Sequence, residues 1–152
     1  TENYEDINLP EMLKEVKSMF EEPIKKTNAT IKEDFSEIST IKFAKKNLQS
    51  IFHNLLSNAI KYHSPERNPE IFITTKLEEN HTILSIQDNG LGMKKEQADK
   101  IFSEFKRLHK DVEGSGVGLY LVKRIITSAG GKIEVESEPG KGSIFKVYFK
   151  NK

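Results

Sequence analysis

Residues 45–62 constrain the fold more than any other segment of this chain. Leu48, Ile51, Phe52, Leu55, Leu56 and Ala59 recur at helical spacing and form one continuous apolar stripe over Lys45 to Tyr62. Such a stripe must be covered, and the following segments have the pattern to cover it. After the Pro65 to Pro69 turn, Glu70 to Leu77 and Thr82 to Gln87 are rich in Ile and Thr and read as two strands joined across Glu78 to His81. Lys132 to Ser137 and Ser143 to Lys150 read as two more, flanking a turn at Pro139 to Gly142. Between the pairs, Leu119, Val122, Ile125, Ile126 and Ala129 define a second strong helix, ended by Gly130 and Gly131 where glycine is favoured. Helices and strands alternate without regular βαβ spacing, so the expected architecture is α+β, a helix layer packed on a mixed or antiparallel sheet.

The other segments are less patterned. Thr1 to Asn8 is polar and precedes a Leu9-Pro10 step, which reads as a linker before a helix with proline in its first turn; residues 9–152 form the domain proper. Met12, Leu13, Val16, Met19, Phe20 and Ile24 place a helix over Pro10 to Lys26, with Pro23 bending or ending it. Ala29 to Phe35 is expected as a strand and Glu37 to Ile41 as a second short one. Lys94 to Phe105 is a short helical stretch. Lys106 to Gly118 is polar, glycine-containing and aperiodic, and is expected to be a mobile loop.

Composition narrows the chemistry. The length of 152 residues suits one domain. With 24 Lys+Arg against 23 Asp+Glu the net charge is +1, which gives no bulk drive toward nucleic acid or anionic lipid. The absence of cysteine excludes disulfides, thiolate zinc sites and a Cys nucleophile, so any metal must be held by oxygen or imidazole. No apolar run reaches the length of a membrane span and no signal peptide opens the chain, so a soluble cytoplasmic domain is expected.

Three places could carry chemistry. On the Lys45 to Tyr62 helix, Asn54, Asn58, Lys61 and Tyr62 fall within an arc of roughly 100° beside the apolar stripe. The asparagines either cap neighbouring loops and face water, or act as oxygen ligands for a hard cation such as Mg²⁺, with Lys61 reaching phosphate and Tyr62 offering a ring face. Asp88-Asn89-Gly90-Leu91-Gly92 follows a strand. It is either an ordinary turn, or a carboxylate placed to accept from a ligand amino group beside closely approaching backbone. Gly114-Ser115-Gly116-Val117-Gly118-Leu119 enters the second helix, where free backbone N–H groups can cradle phosphate. A dinucleotide fingerprint needs Gly or Ala at Leu119 and a strand before Gly114, and no P-loop pattern occurs.

Taken together and in this order, Asn54-x-x-x-Asn58, Asp88-x-Gly90-x-Gly92, Phe102-x-x-Phe105 and Gly114-x-Gly116-x-Gly118-Leu119 resemble the N, G1, F and G2 boxes of the catalytic and ATP-binding domain of two-component sensor histidine kinases. The likeness runs from Ile7 to Lys150 and includes the Glu136 to Ser143 ending. It implies a two-layer α/β sandwich of the Bergerat (GHKL) type, with a mixed, largely antiparallel sheet, binding Mg-ATP under a mobile lid. By that resemblance Asn58 is the Mg²⁺ ligand, Asn54 helps to order metal and phosphates, and Lys61 touches phosphate. Tyr62 packs on the adenine and Asp88 accepts from its amino group. Gly90 and Gly92 let the chain pass close to the nucleotide. Gly114, Gly116, Val117, Gly118 and Leu119 place amides around the phosphates, Lys106 to Ser115 is the lid, and Arg107 lies near the triphosphate. Asn54, Lys61 and Arg107 make up the catalytic set. Phe102 and Phe105 are equally well read as packing anchors for the lid.

The resemblance also separates branches of the fold. Gyrase-type, chaperone-type and mismatch-repair ATPases and anti-sigma-factor serine kinases carry a glutamate general base four residues before the Mg²⁺ asparagine. Here that position is Asn54, which cannot take a proton, so negligible ATP hydrolysis is expected. The acceptor histidine is expected in a dimerising hairpin ahead of this domain, in a His-Glu or His-Asp sequence. None of His53, His63, His81 and His109 is followed by an acid. The expected partners are that phosphoacceptor domain of the same full-length protein and a response regulator downstream, with no nucleic acid and no direct membrane contact. The alternatives are a nucleotide-binding interaction module without phosphotransfer and a hydrolytic or serine-kinase relative.

Overall fold

Backbone pairing builds two sheets from seven strands in a computed structural model that describes residues 3–102 and 117–151. The larger sheet contains β2 (Thr30–Asp34), β4 (Glu70–Glu78), β5 (His81–Asp88), β7 (Gly142–Lys150) and β6 (Lys132–Glu138), in the order β2-β4-β5-β7-β6. Only the β2–β4 pair is parallel, with Ile31 opposite Ile71; the other three pairings are antiparallel. The sheet is therefore mixed and largely antiparallel, as the family resemblance implies.

One face of this sheet carries the core. Alternation in β4, β5 and β7 turns Ile71, Ile73, Leu84, Ile86, Phe145, Val147 and Phe149 to the same side. Against it lies α3 (Lys45–Lys61), whose expected stripe is wholly buried, together with Ile60. Burial of each Leu, Ile or Phe side chain among them is worth about 1.5–3 kcal/mol, so this helix and sheet anchor one another. The flanking helices are α1 (Leu9–Ser18) and α5 (Val117–Ser128), both packed on α3. The opposite sheet face is polar with apolar interruptions, among them the exposed Phe72.

Five expectations about elements are corrected. Residues 4–8, expected as linker, form β1 (Tyr4–Asn8), antiparallel to β3 (Thr40–Ala44) with Ile7 opposite Ile41. Only Ile7 of this strand is buried, so nothing local marks it; its partner lies more than thirty positions along the chain. The strand expected at Glu37 to Ile41 begins at Thr40 instead, because residues 37–39 are used for tertiary bonds. Glu37 accepts the Leu77 amide at 2.6 Å, the Ile38 carbonyl accepts the Thr75 hydroxyl at 2.5 Å, and the Ser39 carbonyl accepts the Leu9 amide at 2.9 Å.

The single helix expected over Pro10 to Lys26 is two, α1 and α2 (Glu21–Thr27), broken at Met19 and Phe20. A helix running through Pro23 would need an amide hydrogen on the proline for the Met19 carbonyl. Breaking there puts Pro23 into the first turn of α2, where no such hydrogen is required. Asn8 caps α1 by accepting the Glu11 amide at 2.9 Å. Finally, α4 (Lys95–Lys100) is shorter than the expected stretch, Ile101 and Phe102 form a turn, and Val117 and Gly118 belong to α5 rather than to a preceding loop. Phe105, Lys106 to Ser115 and Gly116 lie outside the described residues.

Candidate functional site

The end of α3 and the loop after β5 meet beside the β6–β7 turn, and the start of α5 approaches α3 one turn further back, at Asn54. Asn58 and Tyr62 of the helix, Asp88 and Gly92 of the loop, Met93, Ile101 and Ser143 line one narrow cavity of about 20 Å³. A broader depression of about 520 Å³ around Lys32, Phe72 and Gln87 shares Asp88 but contains no residue of α3. The smaller cavity brings together polar residues that lie thirty positions apart in the chain, and it is the better candidate for chemistry.

Asp88 ends β5 opposite Ser143 of β7. Burial pushes its carboxyl up to about 6, although the backbone amides of Gly90, at 2.9 Å, and of Ser143 both donate to it and favour the ionised form. The result is a desolvated carboxylate with backbone donors behind it and a cavity in front. The neighbouring glycines are explained by the protein itself. A Cβ on Gly90 would strike the Tyr62 carbonyl, and the next amide, that of Leu91, donates to that carbonyl at 2.9 Å. Gly92 has φ +69°, and a Cβ there would strike the Glu138 carbonyl. The close approach read from the sequence is thus to backbone at the end of α3 and to the β6–β7 hairpin.

Asn54 lies one turn before Asn58. Its amide nitrogen donates to the Ser50 carbonyl at 2.7 Å and to the Ser50 hydroxyl at 3.2 Å. Its Oδ1 is left toward α5, 2.6 Å from where a Cβ on Gly118 would stand. Gly118 is therefore the residue that lets the first turn of α5 approach α3. Two amide oxygens one helical turn apart, beside a helix N-terminus, fit a hard cation that keeps water and phosphate among its ligands. Among the described residues no cluster of three or more His, Cys, Asp or Glu offers an alternative metal site.

Other expected site residues are placed differently. Lys61 is exposed at the end of α3 and does not line the cavity. Leu119 is buried in the core, so its side chain packs and only its backbone could meet a ligand. Val117 opens α5. Phe102 is half-buried with its ring edge-on to Phe145 at 6.2 Å. Arg107, Gly114 and Gly116 lie outside the described residues.

Several residues to which the sequence assigns no role of their own complete the surroundings. Asn89 binds the Glu70 amide at 2.8 Å and the Asn68 carbonyl at 3.1 Å. Ser137 accepts the Met93 amide at 2.8 Å and donates to the Gly142 carbonyl at 3.1 Å, with the Ser143 hydroxyl 2.7 Å away. Arg67 donates to the backbone carbonyls of Asn89, Gly90 and Gly140. Met93 and Ile101 were legible only as apolar residues near a loop.

A helix layer on a mixed sheet, with a strand-end acid, an asparagine-bearing helix and a glycine-led helix meeting at one edge, defines a two-layer nucleotide-binding sandwich. Residues 44–152 match the family model of histidine kinase-, DNA gyrase B- and HSP90-like ATPases, and the chain belongs to that family. Within it, the chain is a catalytic domain of the sensor histidine kinase kind. The methanogenesis regulatory histidine kinase FilI of Methanothrix harundinacea is 44% identical over 96 residues, 63% of this chain and 11% of that protein. The sensor protein RprX of Bacteroides fragilis is 33% identical over 147 residues, 93% of this chain and 28% of that one. The chain thus spans less than a third of either relative. Among solved structures, the nucleotide-free catalytic domain of histidine kinase ThkA superposes with a TM-score of 0.83 at 28% identity, covering 98% of this chain and 96% of that one. ThkA in complex with the response regulator protein TrrA superposes with a TM-score of 0.78 at 26% identity, covering 98% and 42%. Among the described residues no helix is long and apolar enough to cross a membrane.

Proposed function

We propose that this domain binds Mg-ATP and transfers the γ-phosphoryl group to a histidine on a separate dimerisation domain of the same full-length protein, in the cytoplasm, with a response regulator receiving the phosphoryl group downstream. The observation that carries this reading is the meeting of Asn58, Tyr62 and Asp88 around one cavity at the end of α3. Asp88 accepts the exocyclic amino group of adenine, and the amides of Gly90 and Ser143 hold its carboxylate for that contact. Tyr62 packs on the base, a contact worth about 1–3 kcal/mol by analogy with other base–aromatic stacking. Asn58 holds the magnesium ion and Asn54 orders the same region from one turn away. When bound, Mg²⁺ neutralises charge on the phosphates. The first turn of α5 turns N–H groups and the positive end of its dipole toward the phosphates, and Lys61, Arg107, Gly114 and Gly116 complete the anion pocket.

Phosphoryl transfer of this kind depends on alignment and charge neutralisation more than on covalent help from the protein. A histidine acceptor is itself a good nucleophile, so an amide at position 54 suits transfer to histidine and disfavours hydrolysis or transfer to serine. A nucleotide-binding interaction module without transfer is the competing reading, and the intact Asn58, Asp88 and Gly118 speak against it. Labelled ATP added to this domain with its separately expressed dimerisation hairpin distinguishes the two. Acid-labile, base-stable phosphate on the hairpin is the expected result, and none above background in the presence of bound ATP would refute transfer.

A further inference from the structure

Arg67 lies in the turn between α3 and β4, half-buried, and all three of its described partners are backbone carbonyls. Its Nε donates to the Asn89 carbonyl at 2.6 Å, and its Nη2 donates to the Gly90 carbonyl at 2.9 Å and to the Gly140 carbonyl at 2.8 Å. Asn89 and Gly90 belong to the loop that begins at Asp88; Gly140 is the tip of the β6–β7 hairpin. One planar cation therefore joins the two segments that flank the Asp88 carboxylate. Gly90 is gripped on both sides, its amide held by Asp88 and its carbonyl by Arg67. The same junction is closed by the Gly140 amide donating to the Leu91 carbonyl at 2.7 Å and the Leu91 amide donating to Tyr62.

A solvated surface arginine, or one paired with an acid, would not need this geometry. No carboxylate among the described residues pairs with Arg67 within ion-pair distance, and its charge does not contribute to the shift of Asp88. Its fork of fixed N–H directions is what three carbonyls from two segments require, and an ammonium group cannot reproduce it. We infer that Arg67 is a positioning residue for base recognition: by locking the Asp88–Gly92 loop to the β6–β7 turn, it sets the carboxylate where an adenine amino group meets it, without touching nucleotide. This rests on the proposed role of Asp88.

The test compares ATP with the triphosphate of purine riboside, which lacks the 6-amino group, by calorimetry on the wild-type chain, Arg67→Gln and Arg67→Lys. The wild type should prefer ATP. Arg67→Gln should bind ATP about tenfold more weakly, equivalent to ~1.4 kcal/mol, while its affinity for the amino-less analogue changes by less than about twofold. Arg67→Lys, which keeps the charge and loses the fork, should follow Arg67→Gln and carries the test should the glutamine variant not fold. Equal losses for both nucleotides, or wild-type ATP affinity in Arg67→Lys, would overturn the positioning role while leaving Asp88 in place. Equal affinity of the wild type for the two nucleotides would instead remove Asp88 from base recognition.

Discussion

Replacing Asp88 with asparagine should stabilise the fold at neutral pH while it abolishes ATP binding. Asp88 has its carboxyl pushed from 3.8 to about 6 by burial. In the unfolded chain the group ionises near 3.8, so between that pH and 6 the unfolded state gives up its proton while the folded state keeps it. The folded state therefore loses stability as pH rises through this window, and the full cost is present above about pH 6. A shift of this size corresponds to about 3 kcal/mol at pH 7 and about half that at pH 5. Asparagine resembles the protonated acid, so Asp88→Asn should gain up to that amount at pH 7, or about 6–12 °C in Tm for a domain of this size. The gap should narrow at pH 5 and close below about pH 4. Urea unfolding of both proteins at pH 7 and pH 5 measures it, and calorimetry with ATP reports the loss of binding. A variant no more stable than wild type at pH 7, or a gap equal at both pH values, would refute the desolvation argument; unchanged ATP affinity would refute the base contact.

Three more outcomes are expected. Asn58→Ala should weaken Mg-ATP binding by tenfold or more while metal-free ATP binding falls much less, and equal losses with and without Mg²⁺ would dismiss Asn58 as a metal ligand. Gly92→Ala should destabilise the fold by about 1–3 kcal/mol, since it pairs a positive φ with a collision at the Glu138 carbonyl; a denaturation midpoint matching wild type would show that the loop relaxes freely. ATP hydrolysis by the domain alone should run about 10²–10⁴-fold below a relative that carries the glutamate base, and phosphate release at tens per second would sink the assignment of Asn54.

The readable part of this molecule was the part governed by period. The α3 stripe, the β4–β5 hairpin, the helix after Val117 and the final pair of strands each announce themselves within a short window, because one face of each is buried against a common core. Asp88, Asn58 and Tyr62 stood out as candidates for a related reason, as polar residues at a helix edge or a strand end against an apolar pattern, but only the order of the four boxes joined them into one site. The β1 strand was not legible, since four of its five residues are exposed and its bonds go to β3. Nor was the break at Met19, where two helical spacings run on without interruption and only the proline geometry separates them.

What the sequence determined by itself is the set of strongly periodic elements and the chemical types brought to them: a core-facing helix with two amides on its edge, an acid at a strand end, and glycines before a helix. Tertiary structure alone decided how these are held. Gly90 and Gly92 are glycines because backbone from α3 and from the β6–β7 hairpin leaves no room for a Cβ, and the acid titrates high because the strands and the helix around it exclude water. Arg67 acquires its role only when carbonyls 22, 23 and 73 positions away reach it. Periodicity is a local property of a chain, whereas desolvation and close approach belong to pairs of segments, and a pair exists only once the chain has folded.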